Sequence, residues 1–172
     1  MSARTIRGRA RVFGADINTD YIIASGRKKE TLDPAVLRHY LMEDIAPGFA
    51  ASVMPGDILV AGANFGCGSA MEVAVTVVLG AGIQAVVAPS FSRTYWRNAV
   101  NNGLLLVIAD TRTITEGELL SIGLDPARTT LHAGEDAREI SAEPLPPFVL
   151  ELRAAGGLID YLRLHGSLDP TH

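Results

Sequence analysis

The sequence predicts an α/β domain with a parallel sheet, and the order of its segments is the main observation. From Gly56 onward, short apolar runs alternate with longer helix-like segments. In chain order these are strand 58–61, helix 70–80, strand 84–88, helix 92–101 and strand 104–109. A βαβαβ order favours parallel strands with right-handed crossovers. After Asp110 the segments become shorter and richer in turn residues, which predicts added antiparallel strands. We expect residues 1–172 to form one domain, because this length supports a full core.

The N-terminal segment is predicted to form a strand, a turn, a short strand, a loop and a helix, in that order. Residues 5–13 alternate and predict the first strand. A polar turn follows at 16–20, where local side-chain-to-backbone bonding accounts for the aspartates. The apolar run 21–23 is expected to be a short strand, and residues 25–31 form a basic loop. An Asp-Pro pair then predicts a helix over 33–42, since aspartate caps helices and proline fits the first turn.

Two later elements carry conflicting signals. Segment 70–80 is rich in β-branched residues, which suit a strand, but the preceding loop offers a cap and Gly80 and Gly82 offer a stop. We therefore predict a helix there. Segments 129–131 and 138–140 flank a glycine and predict a hairpin. A proline-rich stretch leads into a final helix, which is interrupted at Gly156-Gly157.

Composition excludes several classes of function. The net charge of −4 argues against nucleic acid as a main ligand. Cys67 is the single cysteine, which excludes internal disulfides and is too few to hold a metal cluster. Residues 1–5 open no apolar signal region, so a cytoplasmic location is expected. Residues 73–92 carry no charge, but glycines and Pro89 divide them, which favours a buried helix and strand over a membrane span.

The glycine-rich turn at residues 64–69 is the strongest candidate for a functional site. It lies between a predicted strand and a predicted helix, and Ser69 occupies the expected N-cap position. Its glycines would allow sharp bends and bring bare N–H groups close to an anionic ligand. The turn is not a P-loop, because Gly68 stands where the lysine belongs, and Met71 breaks the dinucleotide fingerprint. The competing interpretation is a tight turn whose glycines serve packing only.

Several segments occur in a characteristic order along the chain, namely residues 8–10, 13–14, 16–23, 56–62, 64–69, 90–93, 97–99, 102–104, 146–148 and 155–158. Taken together they resemble the small subunit of isopropylmalate dehydratase, the swivelling-domain half of the aconitase superfamily. The resemblance covers nearly the whole chain and favours a functional turn over the packing interpretation. It implies an aconitase-type swivelling β/β/α domain within an iron–sulfur hydro-lyase, which dehydrates and rehydrates a small hydroxy di- or tricarboxylic acid.

The resemblance also assigns roles to residues and partners. Ser69 would be the base, acting as an alkoxide that removes a proton alpha to a carboxylate. Such an anion needs N–H groups, nearby cations and the exclusion of water. The leaving hydroxyl would be drawn off by a [4Fe–4S] cluster carried by an aconitase-type large subunit. This chain would hold no metal, and Cys67 would be structural.

The sequence departs from the family pattern directly after Ser69. The family usually continues with serine, arginine, glutamate and histidine, but only the glutamate is kept. Here Ala70, Met71 and Val73 stand at the other three positions. The missing arginine would ordinarily hold a substrate carboxylate. The backbone N–H groups of residues 69–71 could still bind an oxyanion, and Gly68 and Ala70 remain candidate substrate-binding residues. Three explanations stay open: a different substrate, a cation from elsewhere, or lost activity.

A replacement cation has two possible sources. Lys28 and Lys29 align with the loop that sets specificity in the family, where isopropylmalate enzymes tend to carry Tyr-Leu. We predict that they bind substrate and favour a more polar acid, although solvated loop lysines would look the same. Arg93 and Arg97 share one helix face, where a surface role is the simpler explanation. The rival function is a non-catalytic binding or assembly subunit of an aconitase-like complex.

Overall fold

The computed structural model describes residues 4–167, so Met1 to Ala3, on which the expected location partly depends, lie outside it. The strands are β1 (Arg4–Val12), β2 (Ile58–Val60), β3 (Ala85–Ala88), β4 (Leu105–Ile108), β5 (Leu119–Asp125), β6 (Arg128–Ala133) and β7 (Arg138–Ile140). The α-helices are α1 (Thr19–Ile22), α2 (Pro34–Leu37), α3 (Phe49–Ser52), α4 (Val73–Gly80), α5 (Arg93–Asn102), α6 (Pro147–Ala155) and α7 (Leu158–His165). Short 3-10 turns occupy Arg27–Lys29 and Arg38–Tyr40.

The strands form one mixed sheet in the order β4-β3-β2-β1-β5-β6-β7. Strands β1 to β4 pair in parallel, and β5, β6 and β7 add to β1 as an antiparallel extension. Strand β1 therefore joins the two parts. This arrangement confirms the predicted parallel βαβαβ core with added antiparallel strands.

Each face of the parallel part packs against its own apolar cluster. Along β2, Leu59 faces the cluster formed with α4 and α5, whereas Ile58 and Val60 face the opposite cluster. Residues alternate between the faces of a strand, so a continuous apolar run fits a strand that is covered on both sides. On the second face, Leu150 of α6 packs against that cluster.

Several sequence predictions are confirmed. The hairpin of β6 and β7 pairs Leu131 with Ile140, and the final helix breaks at Gly156, where φ is +97°. The uncharged stretch 73–92 contains α4 and β3. Among residues 4–167, no helix is long and apolar enough to cross a bilayer.

Other sequence predictions about local structure are wrong. The helix predicted over 70–80 is confirmed as a helix, but it starts only at Val73, with Glu72 at its N-cap, so the predicted capping by Ser69 is wrong. The run 21–23, expected to be a strand, closes the helical turn α1, because Asn18 caps it by accepting from the backbone N–H of Asp20. The expected helix over 33–42 is a single α-turn followed by a 3-10 turn.

Strand β5 was not predicted at all. Its buried residues alternate at Leu120, Ile122 and Leu124, which is the signal that would have found it. Gly123 interrupts the pattern, and the side chain of Thr130 on the neighbouring strand fills the space where a Cβ would lie.

Candidate functional site

Three loops meet at the carboxyl edge of the parallel strands, which is where open α/β sheets bind ligands. They follow β1, β2 and β3 and are joined by backbone hydrogen bonds. The N–H of Asp16 donates to the carbonyl of Ala63 over 2.8 Å, and the N–H of Phe65 donates to the carbonyl of Ser90 over 3.1 Å. The N–H of Ser92 donates a hydrogen bond to the carbonyl of Phe65 over 2.9 Å. The glycine turn is therefore the middle loop of three.

Residues of the first loop hold the outer half of the glycine turn. The backbone N–H of Thr19 donates to the carbonyl of Cys67 over 2.8 Å, and its hydroxyl donates to the carbonyl of Ser69 over 2.9 Å. Thr19 is only 1% exposed. Asn18 also forms a β-bridge with Cys67. These contacts fix the backbone on both sides of Gly68, and sequence reasoning missed both Asn18 and Thr19.

The aspartate prediction for the same loop needs correction. Asp16 does not bond to its local backbone; its Oδ1 accepts from Nδ2 of Asn64 over 2.9 Å. Both residues have positive φ, +56° for Asp16 and +63° for Asn64, which asparagine and aspartate tolerate better than most residues. The pair therefore links the first loop to the start of the glycine turn.

The glycines of the turn make room for neighbouring protein groups. A Cβ on Gly66 would lie 2.2 Å from Cγ of Tyr95, and a Cβ on Gly68 would lie 2.5 Å from Oδ1 of Asn18. Both glycines also have positive φ, +79° and +95°. Packing thus accounts for these two glycines, in line with the simpler sequence interpretation. The role of Gly68 in substrate binding stays a prediction.

Ser69 stands at the open side of this turn. Gly68, Ser69 and Ala70 are all exposed. Among residues 4–167, the hydroxyl of Ser69 has no hydrogen-bond partner, and the backbone N–H groups of residues 68–71 have no acceptor. Free N–H groups beside a free hydroxyl form a place where an oxyanion can be bound.

Helix α5 supports the turn from behind. Ser92 caps this helix by accepting from the N–H of Tyr95, and its hydroxyl donates to the carbonyl of Gly66 over 2.7 Å. The Tyr95 hydroxyl donates to the carbonyl of Ala74 over 2.9 Å. Burial raises the pKa of Tyr95 far above its usual range, so it is a structural donor and stays protonated.

The residues directly after Ser69 lie in different environments. Met71 is 5% exposed and belongs to the apolar cluster that α4 and α5 share. Ala70 is exposed and presents only its backbone and a methyl group. Glu72 accepts from Nδ2 of Asn102 over 3.2 Å, which ties the start of α4 to the end of α5. The methionine has therefore become part of the core, and no cation is supplied at that position.

The predicted lysines lie on an anchored loop. Arg27 contacts Glu43 through two hydrogen bonds of 2.9 and 3.0 Å, and its guanidinium stacks 3.7 Å from the ring centroid of Tyr40. Lys28 and Lys29 follow on the same 3-10 turn and are exposed. Within residues 4–167 neither lysine side chain forms an ion pair or a hydrogen bond. Their role in substrate binding stays a prediction.

Comparison with known proteins identifies the family of this chain. Residues 48–111 match the model of the aconitase C-terminal domain, and this range includes the glycine turn. A 3-isopropylmalate dehydratase small subunit from Aliarcobacter butzleri is 46% identical over 160 residues, covering 92% of this chain and 95% of that protein. The chain belongs to the 3-isopropylmalate dehydratase small-subunit family. The crystal structure of 3-isopropylmalate dehydratase (LeuD) from Methanocaldococcus jannaschii superposes with a TM-score of 0.87 at 39% identity, over 95% of this chain and 96% of that one.

Family membership confirms the fold class and the resemblance drawn from the sequence. The chain has the α/β fold of the aconitase C-terminal domain and is a hydro-lyase subunit of the 3-isopropylmalate dehydratase type. A relative with a different name is about as similar. The methanogen homoaconitase small subunit of M. jannaschii is 42% identical over 92% of this chain and 91% of its own length. Similarity alone therefore does not select the substrate.

Proposed function

We propose that this chain is the small subunit of an iron–sulfur hydro-lyase, and that it supplies the base for removing and adding water on a small hydroxy di- or tricarboxylic acid. The observation that carries the proposal is the exposed Ser69 hydroxyl beside backbone N–H groups that have no acceptor within residues 4–167. The carboxyl edge of the sheet is also the expected ligand position for this fold class.

The chain's own residues account for orientation and part of the charge stabilisation. Thr19 and Ser92 hold the backbone of the turn on its two sides, so the backbone that carries the Ser69 hydroxyl is held in place. The N–H groups of residues 69–71 would stabilise an alkoxide or a substrate carboxylate. Burial of this open edge against a large subunit would exclude water and strengthen those interactions.

The donor atoms of this chain do not fit a [4Fe–4S] cluster. Cys67 is the single cysteine of the sequence, and residues 4–167 contain no group of three or more His, Cys, Asp or Glu side chains that could hold a metal ion. Such clusters normally take three or four cysteine ligands. We therefore assign the cluster of the proposed enzyme to the large subunit.

Exposed apolar side chains support a heteromeric assembly. Segment 21–54 exposes Tyr21, Leu32, Val36, Ile45 and Met54 by 38–67%. Exposed apolar side chains mark a protein interface where they lie together on one surface. The same segment contains Lys28 and Lys29, so a large subunit that covers it would also enclose the loop on which they lie.

The substrate is proposed to be more polar or more highly charged than isopropylmalate. Met71 is buried where a cation is expected, while Lys28 and Lys29 are exposed where isopropylmalate enzymes tend to carry Tyr-Leu. A lysine in a closed, dry cleft attracts a carboxylate far more strongly than a surface lysine does. Assaying a panel of hydroxy acids with wild type and Lys29→Leu tests this. Lys29→Leu should raise KM for the best substrate. If the wild type turns over isopropylmalate fastest and Lys29→Leu changes nothing, the proposed preference for a more polar acid is refuted.

Ser69→Ala in the assembled complex tests the catalytic role. The variant should lose nearly all turnover yet melt at almost the wild-type temperature, since its hydroxyl makes no hydrogen bond within residues 4–167. Ser121→Ala, in the antiparallel strand β5, is the matched control and should keep full activity. Near-normal turnover by a well-assembled Ser69→Ala complex would rule out serine as the base.

The second candidate is a non-catalytic binding or assembly subunit, which the residues Ala70 and Met71 favour. It predicts a complex with the large subunit that forms normally but turns over no hydroxy acid of the panel. Turnover by the wild-type complex, abolished by Ser69→Ala, excludes it.

A further inference from the structure

A cavity lies far from the glycine turn. It is formed by α6, the start of β1 and the end of the neighbouring strand β5. It has a volume of about 660 Å³, within the range of roughly 300–1,000 Å³ usual for small-molecule sites. Its apolar lining comes from Leu124, Pro126, Leu150 and Ala154. The cavity is not part of the catalytic edge. Arg4 and Val12 are opposite ends of β1, about 26 Å apart at the usual rise per residue, and the glycine turn lies at the Val12 end.

Two arginines line this apolar cavity without a carboxylate partner. Arg4 of β1 and Arg153 of α6 both contribute to its wall, and Arg153 is half-buried. Within residues 4–167 neither arginine forms an ion pair or a side-chain hydrogen bond, although Glu151 also lines the cavity. Burial, and then the charge of Arg4, lower the pKa of Arg153. Arg4 is exposed, and its charge still acts on the half-buried Arg153 beside an apolar wall, so an anion bound near both guanidinium groups would be favoured.

We propose that this cavity binds a small organic anion with an apolar body, of the class of short aliphatic monocarboxylates. The carboxylate would accept hydrogen bonds from the guanidinium groups of Arg153 and Arg4, which relieves their repulsion. The alkyl chain would lie against Leu124, Leu150 and Ala154. The site is separate from the proposed catalytic edge, so it does not depend on Ser69 being the base.

Hexanoate is a suitable probe, titrated into the full-length chain and followed by amide chemical shifts and calorimetry. We expect saturable binding that shifts the amides of Leu124, Leu150 and Ala154. Hexanamide, which has nearly the same shape without the charge, and acetate, which lacks the apolar body, should each bind at least tenfold more weakly. This comparison uses wild-type protein alone, so it does not depend on any variant folding.

Charge-removing variants then locate the site. Arg153→Gln and Arg4→Gln should each weaken hexanoate binding about tenfold or more. Arg7→Gln is the matched control, because Arg7 lies on the same strand but on the opposite face from Arg4 and should leave binding unchanged. The proposal is overturned if hexanoate does not saturate, if hexanamide binds equally well, or if Arg7→Gln weakens binding as much as Arg153→Gln does.

Discussion

Thr19→Val should lower the stability of the chain only slightly but disturb the position of Ser69. The Thr19 hydroxyl donates to the Ser69 carbonyl over 2.9 Å from a site that is 1% exposed, and valine keeps the shape without the donor. One net hydrogen bond is worth about 1 kcal/mol. The carbonyl left behind belongs to an exposed residue that water reaches, which keeps the cost near that value. A loss of this size should lower Tm by roughly 2–4 °C in a chain of this length.

The effect on turnover should be much larger than the effect on stability. The hydroxyl of Thr19 and its backbone N–H together hold residues 67 and 69, on either side of Gly68. Releasing the Ser69 carbonyl lets the proposed base move, and a displacement of about 1 Å can reduce a rate roughly a hundredfold. We expect kcat of the assembled complex to fall by about ten- to a hundredfold.

Thr19→Ser provides the matched comparison. It keeps the donor and loses one buried methyl group, worth about 0.8 kcal/mol. The two variants should therefore unfold at similar urea concentrations, while only Thr19→Val loses turnover. Urea unfolding followed by circular dichroism and the rate of formation of the unsaturated product measure the two quantities. Equal rates for both variants would refute the idea that this hydrogen bond positions Ser69.

Three further predictions concern packing, acid stability and the cofactor. Gly66→Ala should destabilise the chain by about 3 kcal/mol in urea unfolding, because its Cβ would lie 2.2 Å from the Tyr95 ring at a φ of +79°. Hydrogen bonds from Arg138 and from the backbone N–H of Thr115 lower the pKa of Glu118 from its ordinary 4.5. The stability that Glu118 contributes is therefore present above pH 4.5 and is lost as the pH falls below that value. Glu118→Gln should accordingly flatten the acid side of the stability curve. The isolated chain, incubated with iron and sulfide, should show no cluster absorbance, and a stoichiometric cluster would overturn the proposed division between subunits.

Matched variants serve as controls for the first two of these. Gly26→Ala adds a Cβ that meets nothing within 4 Å at a helical φ of −62°, so it should leave stability nearly unchanged. Glu135→Gln removes an exposed carboxylate that forms no ion pair within residues 4–167, and it should leave the acid dependence unaltered. Equal losses in Gly66→Ala and Gly26→Ala, or equal flattening in both glutamate variants, would contradict the reasoning.

Local sequence signals predicted those elements whose burial is regular. Strands β2, β3 and β4 are continuous apolar runs, and both of their faces are covered, so pattern and environment agree. The β6–β7 hairpin and the helix break at Gly156 follow from turn residues and glycine, whose conformational preferences are local. The same reasoning failed at α1, where Asn18 caps a turn that apolar composition alone assigned to a strand.

The sequence by itself determined the family and the parallel core and pointed to Ser69 as the proposed base, because family motifs and apolar periodicity can be read along the chain. Tertiary structure decided what surrounds that serine. Thr19 donates a hydrogen bond to a carbonyl 50 residues away, Met71 enters the core, and Arg4 and Arg153 line the same cavity. Contacts of this kind depend on how the sheet brings distant segments together, and no local propensity encodes them. The candidate residues are therefore visible in the sequence, whereas their support and charge environment exist only in the folded chain.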